Sequence, residues 1–588
     1  MELSDEQLRA LDDDVEVVSA CPGAGKTRAI ISRFLQEINT SAKGVALVSF
    51  TNTAVDEISS RLSSHGKFRS PNFVGTFDRF VHQFIVTPYV LRTTHSRPRY
   101  VDSWMDLGNA DWLYLRDRSV NGKGIPLSDF VSDADGVISL GSWPSAEGRM
   151  YARQLENAGV SIASVTARAK SLIDGLLAKH IYDCDHARIL ALKILEGTVD
   201  DPGPRRLSDR FSEIIIDEFQ DCSDIEYRIR DRLKKLGVKV VVVADADQGI
   251  YEFRNAKPQM FSDLVKNTPS AAFVELNDNH RSSEVICALV SSMRSMSAES
   301  IKARRSFDSD PIAPKIYVLV GSDSYKQGVF RELSARYSIP AKDSIVLAPT
   351  RKQAARLAGD ASTKFDKGYG STGALLVLLA RLRFGQLPHQ RADSVASFTS
   401  LVLGLFDWAQ VKLEAGAVDE KLEHLGLQHA ALRLCLSSLV QYSSDWASRD
   451  DAKDAIHAAI IDVTSDLVMK PSSVTMKFQK PREDDWGNWT ALGVEVKSDI
   501  AHSHIHGVKG KEYPAVLLHI PHENRDGENS GFNSWLMDVD SESRRVLYVG
   551  ASRAERLLAL SIAKTKKDEI ISILERTNIP YECRIEEV

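Results

Sequence analysis

Short apolar runs recur along this chain, each followed by a polar turn and then by apolar residues at helical spacing. Val15, Val17 and Val18 lead into a glycine-containing turn and a helical stretch that starts at Lys26. Ile214, Ile215 and Ile216 run into Asp217, and Val238 to Val243 run into a polar segment at 244–256. Further strands are predicted at Lys315–Val320, Ser344–Leu347, Ala515–Ile520 and Leu557–Ile562. Runs without polar alternation read as strands buried on both faces, the pattern of a parallel α/β sheet. Between them, Arg92 to Pro144 is irregular and is followed by helical spacing, while Gly373–Phe384 and Val395–Val411 carry apolar residues at helical intervals. The polar stretch Pro521–Ser534 reads as an exposed loop.

The first turn carries the most specific chemistry. Residues 18–27 read Val-Ser-Ala-Cys-Pro-Gly-Ala-Gly-Lys-Thr. Strand, glycine-containing loop and helix together form a phosphate cradle. Gly23 and Gly25 let backbone N–H groups approach a triphosphate, and the helix N-terminus adds partial positive charge. Ala20, Cys21, Pro22, Gly23, Ala24, Gly25, Lys26, Thr27 and Arg28 are thus the candidate ATP loop, with Ala20 in place of the usual first glycine. Lys26 is placed to reach the β- and γ-phosphates, and the Thr27 hydroxyl to ligate Mg²⁺.

Residues 213–221 read Glu-Ile-Ile-Ile-Asp-Glu-Phe-Gln-Asp. The isoleucine strand delivers Asp217 and Glu218 at its carboxyl end, where ligands sit in a parallel sheet. Asp217 then holds Mg²⁺ and Glu218 activates the attacking water. Gln248 follows another strand end and is a candidate γ-phosphate sensor. Tyr251, Phe253 and Arg254 lie beside it, and their rings read either as core or as platforms for unpaired bases.

Composition narrows the class. With 588 residues the chain has room for three or four domains, and 43% hydrophobic with 26% charged residues is ordinary for a globular protein. A net charge of −6 gives no global sign of nucleic acid, so any such surface is local. Six scattered cysteines without a paired spacing suit a reducing cytoplasm and argue against an iron–sulfur cluster. No apolar run is long enough for a membrane span, and the acidic first residues lack the pattern of a secretion signal.

With these residues in place, the chain resembles the superfamily 1 DNA helicases of the UvrD/Rep/PcrA type. Gln7 in Leu-Ser-Asp-Glu-Gln resembles the adenine-reading motif; Phe50-Thr51-Asn52-Thr53-Ala54 and Gly75-Thr76-Phe77-Asp78-Arg79-Phe80 resemble the next two, with Asp78 replacing histidine. Asp217 to Asp221 and residues 244–256 follow in family order. So do Leu276 to Ser282, with His280 replacing tyrosine, then His506 to Tyr513, and Arg544 to Ala554. The resemblance spans almost the whole chain.

The resemblance implies two RecA-like parallel-sheet motor domains, each with a mostly helical accessory insertion. The first comprises 1–90 and 185–275 with an insertion at 91–184; the second comprises 276–365 and 490–588 with a shortened insertion at 366–489. It implies that Gln7 and His280 contact adenine, that Glu512 contacts the ribose, and that Arg281 and Arg553 reach the γ-phosphate from the second domain. Phe50, Thr51, Asn52, Phe77, Tyr251, Phe253, Arg254 and His506 are the implied DNA contacts, with Phe253 where many members carry tryptophan. The implied reaction is ATP hydrolysis driving 3′→5′ movement on single-stranded DNA.

The shorter second insertion and the wording around Phe77 resemble the helicase-like subunit of Gabija-type bacterial anti-phage systems, whose partner is an OLD-family nuclease with a Toprim domain. Ala244, Gly249 and Asn255 depart from the family motif between sensor and stacking rings, which favours weakened coupling. Three expectations stand: a translocating helicase, a DNA-end-sensing ATPase that unwinds little, and a free-standing repair helicase. Alternating His502, His504 and His506 sit on a presumed strand, and only His506 has a motif reason to be there. His180, Cys184 and His186 lack a fourth metal ligand at suitable spacing. No carboxylate–lysine nuclease cluster follows Arg553.

Overall fold

In a computed structural model of the chain, the described residues are 3–63, 70–107, 111–198, 203–252, 255–295, 299–307, 310–359, 370–384, 388–406, 418–467, 469–471, 474–492, 500–521 and 530–587. Two six-stranded sheets dominate. In the first, the spatial order is Phe273–Leu276, Val17–Ala20, Lys239–Ala244, Phe211–Ile216, Gly44–Ser49, Phe73–Thr76, and every pairing is parallel. The second runs Ala501–His504, Ser344–Ala348, Tyr513–His519, Ala554–Ile562, Ile316–Val320, Tyr581–Ile585, again all parallel.

The apolar runs explain this directly. Val17–Ala20, Gly44–Ser49 and Ile316–Val320 are buried at every position, because helices cover both faces of each sheet. Parallel strands also bring all their carboxyl ends to one edge. The loop after Ala20, Phe50 after Ser49, Phe77 after Thr76, Asp217 after Ile216 and Asp245 after Ala244 therefore meet along one rim.

The lobes built on the two sheets share one continuous buried cluster, running from Val18, Ile30 and Val243 through Ile286 and Leu289 to Val318, Leu347 and Leu560. Helix Glu542–Ala551 sits at this junction with Arg544 and Arg545 both buried. Arg545 Nε donates to Gly249 O at 2.8 Å and its guanidinium pairs with Glu252 and Asp540. Arg544 Nε donates to Met293 O at 3.1 Å.

Each sheet carries an insertion with its own core. The first leaves and re-enters through the parallel pair Arg99–Tyr100 and Ile181–Tyr182, holds two small antiparallel pairs and helices Ala146–Asn157 and Ile162–Leu177, and packs around Trp104, Leu127, Tyr151 and Ile173. The second is helical, from Gly370–Phe384 to Glu483–Leu492, around Leu376, Phe398, Leu436, Ile456 and Trp489.

Two local expectations change. His506 is not on a strand: the strand ends at His504, and Ile505–Val508 forms a 3₁₀ turn whose Ile505 and Val508 are buried, rotating His506 out of the alternation. The expected loop Pro521–Ser534 ends early, because Ser530 caps a helix at Gly531–Leu536 that buries Phe532 and Trp535; residues 522–529 lie outside the described residues. Part of the expected helix Val395–Val411 likewise falls outside them, the observed helix being Pro388–Leu403.

Candidate active site

A cleft of about 470 Å³ opens between the two lobes, and residues 20–28 all line it. Gly23 and Gly25 have φ of 74° and 73°, the left-handed region that suits glycine. A Cβ at Gly23 would lie 2.8 Å from Asn279 Nδ2, and one at Gly25 would collide with the Gln7 carboxamide. The loop is therefore clamped from outside: Gln7 Nε2 donates to Ala24 O at 2.8 Å, and Asn279 Nδ2 donates to Pro22 O at 2.7 Å. Gln7 lies behind the loop rather than on the cleft wall. Asn279 was not singled out from sequence, although it stands inside the motif that contains His280 and Arg281.

Lys26 Nζ lies 3.1 Å from Asp217 Oδ1 and pairs with Glu218. Burial opposes its charge, but the two carboxylates hold the ammonium above its ordinary pKa. Burial also pushes Asp217 upward against the pull of Lys26. Glu218 moves the other way: burial would raise it, yet Lys26 and Lys509 together hold it well below the usual carboxylate range. A cation thus already rests on the Asp217–Glu218 pair, and the Thr27 side chain lines the same cleft, so the donor set fits a magnesium ion carried by a nucleotide.

Glu218 itself has φ of 57°, a left-handed conformation that costs a non-glycine residue energy and persists only where surroundings impose it. Gln220 Nε2 fixes the carboxylate by donating to Oε2 at 2.6 Å. Gln220 Oε1 in turn accepts from the Asp245 N–H at 3.2 Å.

The second lobe reaches into this cleft with three basic side chains. Arg553 Nη2 donates to Gln248 Oε1 at 3.0 Å, and burial with the neighbouring Arg281 lowers its pKa to about 10. Gln248 Nε2 donates to Asp245 Oδ2 at 2.8 Å, which also accepts from the Tyr548 hydroxyl at 3.0 Å. Arg281 pairs with Glu512 and donates from Nη1 to Ser552 O at 3.2 Å. Lys509 Nζ donates to both oxygens of Asp221 at 2.9 and 2.6 Å. His280 is exposed on the cleft wall, its N–H bonded to Gly23 O at 2.9 Å.

The candidate DNA residues divide. Phe50 and Thr51 line a second cavity of about 290 Å³ together with Tyr251, which faces both this cavity and the nucleotide cleft. His506 lies beside Tyr251, with ring centroids 6.0 Å apart, and its Nε2 meets Ile250 O at 3.1 Å. Asn52 is exposed at the start of helix Asn52–Ser63. Phe77 departs from expectation: it is 1% exposed and stacks on Phe50 with centroids 5.3 Å apart, so it backs the Phe50 ring and presents no face of its own. Phe253 and Arg254 lie outside the described residues.

Asp78, the residue that replaces histidine, has a partner of its own. Arg188 forks onto it, Nε to Oδ1 at 2.7 Å and Nη2 to Oδ2 at 2.9 Å, and reaches Glu226 at 2.7 Å. Of the other histidines noted in sequence, His186 bonds Ser132 at 2.9 Å and Asp183 at 2.7 Å.

Two six-stranded parallel-sheet lobes, with a glycine-containing loop on one and arginines arriving from the other, are consistent with a two-domain RecA-like architecture. Residues 3–124 and 137–269 match the sequence model of the UvrD/REP helicase N-terminal domain, so this part of the chain is similar to that domain. It is 25% identical over 290 residues to DNA helicase II of Escherichia coli strain K12, covering 47% of this chain and 38% of that protein. It is 25% identical over 277 residues to the ATP-dependent DNA helicase PcrA of Leuconostoc citreum, covering 46% and 36%. It is 24% identical over 270 residues to the Gabija protein GajB of Bacillus cereus strain VD045, covering 45% and 43%. In each case the match spans less than half of the relative. No described helix is long and apolar enough to cross a membrane.

Proposed function

We propose that the protein is a DNA-dependent ATPase of the UvrD type that hydrolyses ATP between its two lobes and moves 3′→5′ on single-stranded DNA. The observation that carries this reading is the convergence of Lys26, Asp217, Glu218, Gln248, Arg281 and Arg553 on one cleft, with residues from both lobes. A transferring phosphoryl group spreads negative charge over its oxygens, and guanidiniums fixed near it stabilise that charge without reorganisation. Arg281 and Arg553 are the groups for that role, Glu218 orients the attacking water, and Gln248 reports the γ-phosphate to Arg553. Thr27 and Asp217 would hold a Mg²⁺ ion, which would supply charge neutralisation for the β- and γ-phosphates. His280 takes the adenine ring, Glu512 the ribose, and Gln7 acts through the Ala24 carbonyl. Because the arginines come from the opposite lobe, nucleotide binding and lobe closure are one event.

On the DNA side, Phe50, Thr51, Asn52, Tyr251, Phe253, Arg254 and His506 are the contacts, with Phe77 as backing. In the cell we assign the protein to bacterial anti-phage defence, acting with an OLD-family nuclease subunit. The similarity to the Gabija protein GajB supports that assignment. A second reading, a sensor of DNA ends with little unwinding, is favoured by Ala244, Gly249 and Asn255, which depart from the family motif in the segment that carries Gln248 and Tyr251.

The deciding experiment measures ATP hydrolysis with and without single-stranded DNA, beside unwinding of a 3′-tailed duplex. Strong stimulation with unwinding supports the motor. Stimulated hydrolysis without unwinding supports the sensor. Hydrolysis indifferent to DNA overturns both.

A further inference from the structure

Lys509 lies inside the motif His506 to Tyr513 but carried no role of its own in the sequence, and in the structure it touches several groups of the site. It follows the 3₁₀ turn Ile505–Val508, which is pinned into the second lobe by buried Ile505 and Val508. Its ammonium crosses into the first lobe. There Nζ donates to Asp221 Oδ1 and Oδ2 at 2.9 and 2.6 Å and to Gln248 O at 3.1 Å, and it lies 3.6 Å from Glu218 Oε2. It also sits 4.8 Å from the centroid of the Tyr251 ring, within range of a cation–π contact.

One charge therefore joins the candidate water-activating carboxylate, the peptide of the γ-phosphate sensor and the ring that faces the DNA-side cavity. The second cation on Glu218 is Lys26. If Lys26 is drawn to the phosphates of a bound nucleotide, Lys509 is the cation left to hold Glu218 in place. Its position is not independent of the DNA side, because the same ammonium rests over Tyr251 and its segment carries His506, whose Nε2 bonds the Ile250 carbonyl.

We propose that Lys509 is a positioning residue that couples occupancy of Tyr251 by an unpaired base to the placement of Glu218. The inference rests on the reading of the protein as a DNA-dependent ATPase. It goes beyond that reading by naming the side chain through which DNA raises the rate.

The test compares wild type with Lys509→Met and Lys509→Arg. Three quantities are measured: affinity for a labelled oligothymidylate by anisotropy, KM for ATP, and kcat with and without saturating oligothymidylate. Lys509→Met is expected to keep oligonucleotide affinity and KM within about two-fold while the DNA stimulation of kcat falls by about ten-fold, the scale of a coupling between sites. Lys509→Arg, which keeps the charge, is expected to recover a substantial part of the stimulation. Unchanged stimulation in Lys509→Met overturns the proposal. So does joint loss of oligonucleotide and ATP binding in both variants, which would mark Lys509 as a structural pin between lobes. Absence of stimulation in the wild type overturns the underlying ATPase reading itself, and that result is read before any variant is made.

Discussion

Arg553 Nη2 and Gln248 Oε1 lie 3.0 Å apart across the boundary between the two lobes. The contact joins Arg553 of the second lobe to Gln248 of the first, and it continues through Asp245 to the buried Tyr548 hydroxyl. Arg553→Ala is expected to lower kcat for ATP by about 10³-fold, the lower end of what a trans-acting arginine contributes to phosphoryl transfer. KM for ATP is expected to move far less. A variant that loses affinity and keeps kcat would place Arg553 in ground-state binding instead.

Lys26 and Glu218 form the ion pair at the floor of the cleft. Lys26→Ala and Glu218→Gln are each expected to reduce ATP turnover by about 10²–10⁴-fold, and chelation of Mg²⁺ is expected to abolish it in the wild type. The two variants should differ in binding: Glu218→Gln retains a fluorescent ATP analogue, whereas Lys26→Ala loses it. Wild-type turnover in either variant would remove the cleft from consideration as the hydrolytic site.

Phe50 and Phe77 stack on each other but stand in different environments. Phe50 is half-buried and lines the DNA-side cavity, while Phe77 is fully buried. Phe50→Ala is expected to weaken single-strand binding by about 1–3 kcal/mol with little change in melting temperature. Phe77→Ala is expected to destabilise the fold by about 3–5 kcal/mol through the cavity it leaves. Equal effects of the two substitutions on DNA affinity and stability would show that the stack acts as one unit.

Glu542 is half-buried beside Glu252, and burial together with that neighbour raises its pKa from 4.5 to about 7. The folded state therefore keeps a proton that the unfolded chain releases between about pH 4.5 and 7. The sign follows: the stabilisation is present at low pH and is lost as pH rises through about 7. Since Glu542 also bonds the Glu252 N–H at 3.1 Å at the lobe boundary, the loss falls on the interlobe contact. Glu542→Gln, neutral at every pH, is expected to lose less melting temperature than wild type between pH 5.5 and pH 8. Parallel pH curves for the two proteins would rule the carboxyl out as the source.

Much of the first sheet was legible because its strands are unbroken apolar runs and its functional turns follow them immediately. Lys26, Asp217 and Gln248 each lie within a few residues of a strand end, so strand periodicity together with the residue types in the following turns marked them as candidates. His506 was misplaced because the alternation of His502, His504 and His506 does not show that the strand ends at His504 and that a 3₁₀ turn begins at Ile505. Phe77 could not be separated from Phe50 for a similar reason: both follow strand ends, and only the packing of Phe77 into the core beside Val48 and Phe80 decides which ring is covered.

Lys509, Asn279 and Tyr548 stand in motifs read from sequence, but their partners were not legible there. Lys509 is 288 residues from Asp221, and Tyr548 is 303 residues from Asp245. Ion pairs and hydrogen bonds depend on distances of a few ångströms that no local pattern encodes. The sequence by itself determined the phosphate loop, the acidic strand end and the parallel sheets, since these follow from residue types at short spacing. Only the tertiary structure decided which lobe supplies each cation, which aromatic ring stays open, and that Lys509 contacts Asp221, Gln248, Glu218 and Tyr251 together. Those outcomes depend on how the two sheets pack against one another through their shared buried cluster.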